Sequence, residues 1–397
     1  MRRGFMKKSN KTGKKPSAWK ICLLILLIAV FAAGTVILSP IPNLPIFGEK
    51  AGKSTNHQEK EKKKAAGDEK QPPAPTEVVE EEPKTETITI SSVGDLALGK
   101  LYEYDYSNSF LKYYDSYGAD YFLKNASATF AADDLTLGNF EGTLTDSNNK
   151  TEKTFNIKAP KEYASILTAG HVDVVGTGNN HIIDYGEQGS KDTWDALTEY
   201  GIPYAHNDKT VLYETSKGIK VGIVASNVLN SANNYFLLDG VKSLREQGAQ
   251  IVIAMPHWGI ERQYLANKNQ TDLAHQLVDA GCDLVLGSHP HVLQTMEVYK
   301  GKMIAYSQGN FCFGANRNPK DKETMIYQQT FTFVDGVLQS GVNVHVIPYT
   351  LSSNLSTNDY CPKEAEGDQK TKIIDHLNSY SEEYSDFKLD NDGNFQM

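Results

Sequence analysis

Residues 251–291 read IVIAMPHWGIERQYLANKNQTDLAHQLVDAGCDLVLGSHPH. Two β-branched runs, IVIAMP and CDLVLGS, flank TDLAHQLVDAG, whose apolar residues recur at helical spacing and which stops at a glycine. Each run ends on histidine: His257 after the first, His289 and His291 after the second. Outward from this unit the same alternation continues. Upstream lie ITISSVGD, helix-like PKEYASILTAG, VDVVGTGNNH, helix-like KDTWDALTEYG, IKVGIVASN and VKSLREQG; downstream lies KMIAYSQGNF. Runs that are apolar throughout predict strands buried on both faces, hence an α/β architecture. After Glu323 the pattern changes to MIYQQTFTFVDG and VNVHVIPYT, joined across a glycine without a helix, which predicts an antiparallel addition. Residues 88–350 are read as one domain, and the polar residues 351–397 as a C-terminal tail or a peripheral helix around Lys370–Tyr380.

Of the 397 residues, 40% are hydrophobic and 22% charged, ordinary for a globular chain and too apolar for wholesale disorder. The formal charge is −9, but residues 1–20 hold eight cations and no acid, so taking them away leaves −17 for the remainder. A body this acidic is not expected to bind nucleic acid. Residues 1–20 are read as a basic cytoplasmic tail. Residues 21–38, ICLLILLIAVFAAGTVIL, carry no charge and as a helix would span about 27 Å, close to a bilayer core. The basic flank orients this segment as a single-pass anchor in the cell membrane, N-terminus cytoplasmic and main domain extracellular. A cleaved signal peptide is the competing reading, with Val30 and Ala32 as the small residues before a cut. Residues 39–87, with their Lys-rich, Glu-rich and Pro-rich blocks, are read as a disordered linker. Cys282, Cys312 and Cys361 make an odd set outside the apolar segment, with neither zinc-knuckle nor CxxC spacing, and are read as buried thiols.

Polar residues cluster at the ends of the apolar runs. Asp95 follows ITISSVG, Asn139 and Glu141 follow LTLG, Asn180 and His181 follow VDVVGTG, and the three histidines above complete the set. Loops at the carboxyl ends of strands form the ligand crevice of an open α/β sheet, so these residues are predicted to converge. Pro290 is expected to hold His289 extended, which would project His289 and His291 to one side. Gly94 is expected to let the backbone beside Asp95 approach an ion or anion. Carboxylate, amide oxygen and imidazole form a mixed O/N set that suits Mn, Zn, Fe or Mg, and no motif contains cysteine. The six other histidines, His57, His171, His206, His275, His345 and His376, are assigned to packing or surface.

The segments VGDLALG, GNFEGTLTD, GNNHIIDYG, HWGIE and GSHPHVLQTMEVYKGKMIAYSQGNFCFG resemble, in order, those of the CapA/PgsA proteins of bacterial poly-γ-glutamate capsule synthesis. That domain is similar to calcineurin-like metallophosphoesterases. The resemblance implies a four-layer α/β/β/α sandwich with a site for two divalent metal ions at the strand ends. It implies Asp95 and His291 as ligands of a first metal, Glu141 as a bridging carboxylate, and Asn180, His257 and His289 as ligands of a second. His181 would be the non-ligand acid facing the leaving group. Asn139, Asp184 and Glu261 would orient ligands or hold a histidine tautomer. Four departures stand out. Ala97 replaces the histidine of the usual Asp-x-His, which removes an imidazole from the first metal. Arg262 and Gln308 stand where relatives commonly carry Tyr and Leu, and AHNDKT at 205–210 replaces a glycine-rich segment; these are expected to alter the substrate mouth.

Two functions follow as expectations. One is metal-assisted hydrolysis or transfer on a phosphoester or γ-glutamyl linkage, with His181 protonating the departing atom. The other is a non-catalytic assembly or export subunit of a polyglutamate synthase complex in the membrane. Poly-γ-glutamate or another anionic cell-surface polymer is the expected partner in both.

Overall fold

A computed structural model describes residues 82–397. The basic tail, the apolar segment 21–38 and most of the linker lie outside the described residues. Among the described residues no helix is long and apolar enough to cross a membrane. The strands that build the site are β1 (Thr85–Ala97), β2 (Leu135–Phe140), β3 (Val174–Gly176), β4 (Lys220–Asn227), β5 (Ile251–His257), β6 (Leu284–Leu286), β7 (Lys302–Ala305), β8 (Asn310–Phe313), β9 (Glu323–Val334) and β10 (Asn343–Thr350).

They fall into two large sheets. In the first, β10, β9, β1, β2 and β3 are neighbours in that order, and β8 pairs with the end of β1. Within it β1–β2–β3 run parallel, while β9 lies antiparallel to both β1 and β10. In the second, β4–β5–β6–β7 are neighbours and all parallel. Strand periodicity explains how the sheets stack: Ile251, Ile253 and Met255 of β5 face Ile88, Ile90 and Leu137 in one shared core, while Val252 and Ala254 face the opposite way.

On the outer side of the second sheet lie helices α1 (Asn234–Glu246) and α2 (Lys268–Asp279), through Leu237, Val241, Leu244, Leu273 and Leu277. The other side of the first sheet packs against Phe110, Phe122, Ile166 and Leu197, from helical segments between residues 110 and 199. Asn267 caps α2 with a complete capping box, its side chain accepting from the Gln270 backbone while Gln270 returns a bond to the Asn267 N–H. The resulting mixed α/β fold carries both sheets in its interior.

Two boundaries differ from those read in the sequence. Strand β1 begins at Thr85 rather than after residue 87, because Thr85, Glu86 and Thr87 pair their backbones with Val334, Phe333 and Thr332. Composition reports side chains, and this extension is a main-chain ladder. Residues 351–397 do not form a loose tail. Helix α3 (Gly367–Ser381) buries Ile373, Ile374 and Leu377 in the core between the sheets, joined by Phe387 and Leu389, and residues Asn394–Gln396 pair with β10. Cys282, Cys312 and Cys361 are free and buried.

Truncating Leu377 to alanine removes a fully buried side chain of that shared core and is expected to cost about 2–5 kcal/mol. Chemical denaturation of the variant measures it; a peripheral helix would lose well under 1 kcal/mol.

Candidate metal centre

The carboxyl ends of parallel strands from both sheets deliver their loops to one place. Asp95 lies in β1 directly between Asn139 of β2 and Asn310 of β8, in register with both, and the register shifts on each side mark a local bulge. Gly94 permits this for a different reason from the one expected. A Cβ there would stand 1.9 Å from the Gly309 carbonyl oxygen, so the glycine admits neighbouring backbone, whose carbonyl accepts the Asp95 N–H at 2.9 Å. Gly178 plays the same part in the β3 loop, against the backbone of Ser226.

Asp95, Glu141 and His257 have no exposed surface, and one donor atom from each lies within 4.8 Å of the others. Asp95 Oδ1 accepts from Asn139 Nδ2 at 2.8 Å, and Oδ2 lies 2.9 Å from His291 Nδ1. Glu141 Oε1 is 3.6 Å from His181 Nε2 and 3.8 Å from His291 Nε2. His257 Nε2 meets Asn180 Oδ1 at 2.8 Å, while its Nδ1 faces Ser288 Oγ at 2.9 Å. The His289 ring centre lies 4.8 Å from that of His257 and 5.6 Å from that of His291. All six residues read as ligands therefore come together, and His181 stands beside them.

The HPH turn reaches this arrangement by an unexpected route. His289 and His291 have φ of 94° and 59°, in the left-handed region rather than extended. Proline at 290 disfavours the right-handed helical region for the residue before it but does not impose an extended one. The turn is tied on both sides: Trp258 N–H donates to Ser288 O, and Arg262 N–H donates to Pro290 O at 2.8 Å. Two such residues cost about 1–3 kcal/mol each, which the surrounding bonds must offset.

His181 is held by a chain of its own. Its Nδ1 lies 2.8 Å from Asp184 Oδ2, which also accepts the Ile157 N–H at 2.6 Å, and Lys153 Nζ reaches Asp184 Oδ1 at 2.5 Å and the Asn180 carbonyl at 3.0 Å. Nε2 is thereby left facing Glu141. Asn139 and Asp184 thus contact site side chains directly. Glu261 instead lies exposed in the wall of a cavity of about 790 Å³, where it makes no hydrogen bond to a site side chain among the described residues. That cavity also reaches His181, His291, Asn310 and Arg262. Gln308, expected near the mouth, is buried instead and accepts from Ser92 Oγ at 2.9 Å.

Four residues of the centre escaped the sequence reading: Lys153, Asn179, Ser288 and Asn310. Asn179 Nδ2 donates to the Phe140 carbonyl and its Oδ1 accepts the His181 N–H, so it locks the GNNH loop onto β2. Its neighbour Asn180 drew attention away from it. Ser288 and Asn310 lie inside quoted motifs, but Asn310 opens a strand where the pattern sought strand ends.

The electrostatics fit a cation. Both Glu141 carboxylate oxygens and His289 Nδ1 are buried without a hydrogen-bond partner among the described residues. Burial, then the neighbouring Asp95, holds the Glu141 carboxyl well above its usual range. Burial pushes the His257 pKa well down, and that of His289 to about 4, so both rings are neutral and able to ligate at neutral pH. Burial also opposes charge on His291, yet Glu141 and Asp95 lift it to about 10. A buried carboxylate with no donor costs several kcal/mol unless paired, and a divalent ion among these oxygen and nitrogen donors would remove that cost.

The family model described as "Bacterial capsule synthesis protein PGA_cap" matches residues 89–315, a span that includes every strand end of the centre. The chain belongs to this family of capsule synthesis proteins. It is 31% identical over 257 residues to "Capsule biosynthesis protein CapA" of Bacillus anthracis, covering 58% of this chain and 61% of that one. It is 32% identical over 262 residues to "PGA biosynthesis protein CapA" of Bacillus subtilis (strain 168), covering 59% and 66%. A "Probable polyglutamine synthesis accessory protein" of Mycobacterium tuberculosis (strain CDC 1551 / Oshkosh) is 25% identical over 257 residues, covering 56% and 67%. The match spans just under two thirds of the length of the two Bacillus relatives.

Glu141→Gln removes the buried charge while keeping the shape. In metal-free protein it is expected to raise the melting temperature, and added Mn should stabilise it far less than it stabilises the parent. Thermal melts with and without Mn measure both, and equal Mn-induced shifts would count against metal binding by Glu141.

Proposed function

We propose that this protein is a metal-dependent hydrolase or transferase of capsule synthesis, acting on a phosphoester or γ-glutamyl linkage in poly-γ-glutamate or a related anionic cell-surface polymer. The supporting observation is the fully buried Glu141 carboxylate, both oxygens unpartnered, with Asp95, His257 and His291 around it and His181 at its side. Helices on the outer side of each of two packed sheets support a metallophosphoesterase-like four-layer sandwich as the scaffold. Residues 21–38 are proposed to anchor the chain in the cell membrane with this domain outside, where a capsule polymer is built.

Asp95, Glu141, Asn180, His257, His289 and His291 would hold two divalent ions, Mn, Zn, Fe or Mg. Such ions, when bound, polarise the scissile group and lower the pKa of a coordinated water. The remaining work falls to this chain's side chains. Asp184, itself fixed by Lys153 and the Ile157 N–H, holds His181 by Nδ1 and aims Nε2 at the reaction space, from which the imidazole can hand a proton to the departing atom. Arg262, Lys320 and Lys322 line the adjoining cavity and make no ion pair among the described residues, whereas Lys372 is paired with Glu323. With Lys372 they make four cations in the wall against Glu261, Asp321 and Glu323, a slight positive balance that suits a substrate carrying carboxylates or phosphates.

A second reading, a non-catalytic assembly or export subunit of a polyglutamate synthase complex, draws on Ala97. Its side chain packs with Leu101, Ile157 and Phe313 in an apolar cluster, so no imidazole is supplied from that position.

His181→Ala separates the two. On an enzyme it is expected to lower kcat by about 10²–10⁴-fold on p-nitrophenyl phosphodiesters or γ-linked glutamate oligomers with Mn present, without loss of bound metal. Purified protein that holds no metal yet still supports capsule formation supports the assembly role.

A further inference from the structure

Position 97 leaves the first metal position one donor short, and the structure offers a replacement from another strand. We propose that Asn310 is a direct ligand there, through Oδ1. The inference rests on the dinuclear reading above and adds to it a residue from β8.

Register brings Asn310 to the place. It pairs with Asp95 across the parallel β1–β8 ladder, on the opposite side from Asn139, and is almost fully buried. Its amide has only one sensible orientation. Nδ2 donates to the His291 carbonyl at 3.1 Å, which turns Oδ1 towards His291 Nδ1 at 2.9 Å. The flipped amide would set carbonyl against carbonyl. Yet Nδ1 already faces Asp95 Oδ2, also at 2.9 Å. One ring nitrogen carries at most one hydrogen, so two full-strength acceptors compete for it. Asp95 cannot turn away, because Oδ1 is engaged by Asn139.

A cation resolves the conflict. With the hydrogen gone from Nδ1, three lone-pair atoms converge: Asp95 Oδ2, His291 Nδ1 and Asn310 Oδ1. Two donors each about 2.1 Å from a shared ion, at right angles, stand about 3.0 Å apart, close to both separations seen here. An amide oxygen also suits the hard divalent ions that the rest of the donor set favours. Ala97 cannot contribute, since its side chain lies in the apolar cluster with Phe313.

Equilibrium dialysis of the full chain against Mn, with metal counted per chain, tests this without reference to activity. The parent is expected to bind two ions. Asn310→Ala should retain one and bind the other at least tenfold more weakly. Asn310→Asp keeps an oxygen but loses the donor to the His291 carbonyl, and should still bind two ions, at least as tightly. If Asn310 merely held the HPH turn through Nδ2, the aspartate variant would fail as the alanine variant does, and that result overturns the assignment. So does an alanine variant that binds two ions with parental affinity. Should the alanine variant not fold, the aspartate variant decides alone by its affinity. A parent chain that binds fewer than two ions overturns the dinuclear reading itself, and this assignment with it.

Discussion

The centre of this protein is organised around two buried carboxylates that are short of hydrogen-bond donors among the described residues. Asp95 and Glu141 are both sealed from solvent, and among the described residues Glu141 has no hydrogen-bond donor at either oxygen. Folding does not ordinarily tolerate such an arrangement, because desolvating a carboxylate without a partner costs more than one packed side chain returns. Of the imidazoles around the pair, His257 and His289 are held neutral by burial and His291 is held charged by the acids. A proton on His291 and an elevated Glu141 pKa are what the metal-free protein can do in place of a cation. The donor set, its burial and its unsatisfied atoms describe the same deficit.

The two sheets exist, from the point of view of the site, to bring their parallel strand ends to a common edge. β1, β2 and β3 contribute Asp95, Glu141 and the Asn179–His181 loop, while β5 and β6 contribute His257 and the HPH turn. The contact between Asn180 Oδ1 and His257 Nε2 links one sheet's loops to the other's. The shared apolar core beneath fixes their separation, so an error in packing between Ile253 and Ile90 would be felt at the cluster of polar side chains. The HPH turn brings backbone strain into the site, where the fold holds two histidines in the left-handed region.

The chain also extends the site beyond the family-matched residues. Lys320, Lys322 and, from α3, Lys372 and His376 form the far wall of the cavity, although the matched region ends at residue 315. Helix α3 is anchored by Ile373, Ile374 and Leu377 in the inter-sheet core, which makes that wall part of the folded body.

Much of the architecture, and the convergence of polar side chains at the strand ends, was legible in the order of residues alone. Apolar runs of strand length alternating with helical spacing announce α/β, and Asp, Asn or His placed after each run announces a crevice at the strand ends. What escaped were relations that have no local mark. Thr85–Thr87 looks like linker because a ladder of main-chain bonds leaves no trace in composition, and 351–397 looks like a tail because its few apolar residues matter only once another core receives them. The conformation at His289, the backbone contact that needs Gly94, and the neighbours Asn179, Ser288 and Asn310 belong to the same class. Periodicity and residue type act along the chain, so one sequence suffices to read them. Register between strands, the sharing of one His291 nitrogen by Asp95 and Asn310, and the isolation of Glu141 from donors among the described residues arise between segments that can lie more than two hundred residues apart, and only packing decides them.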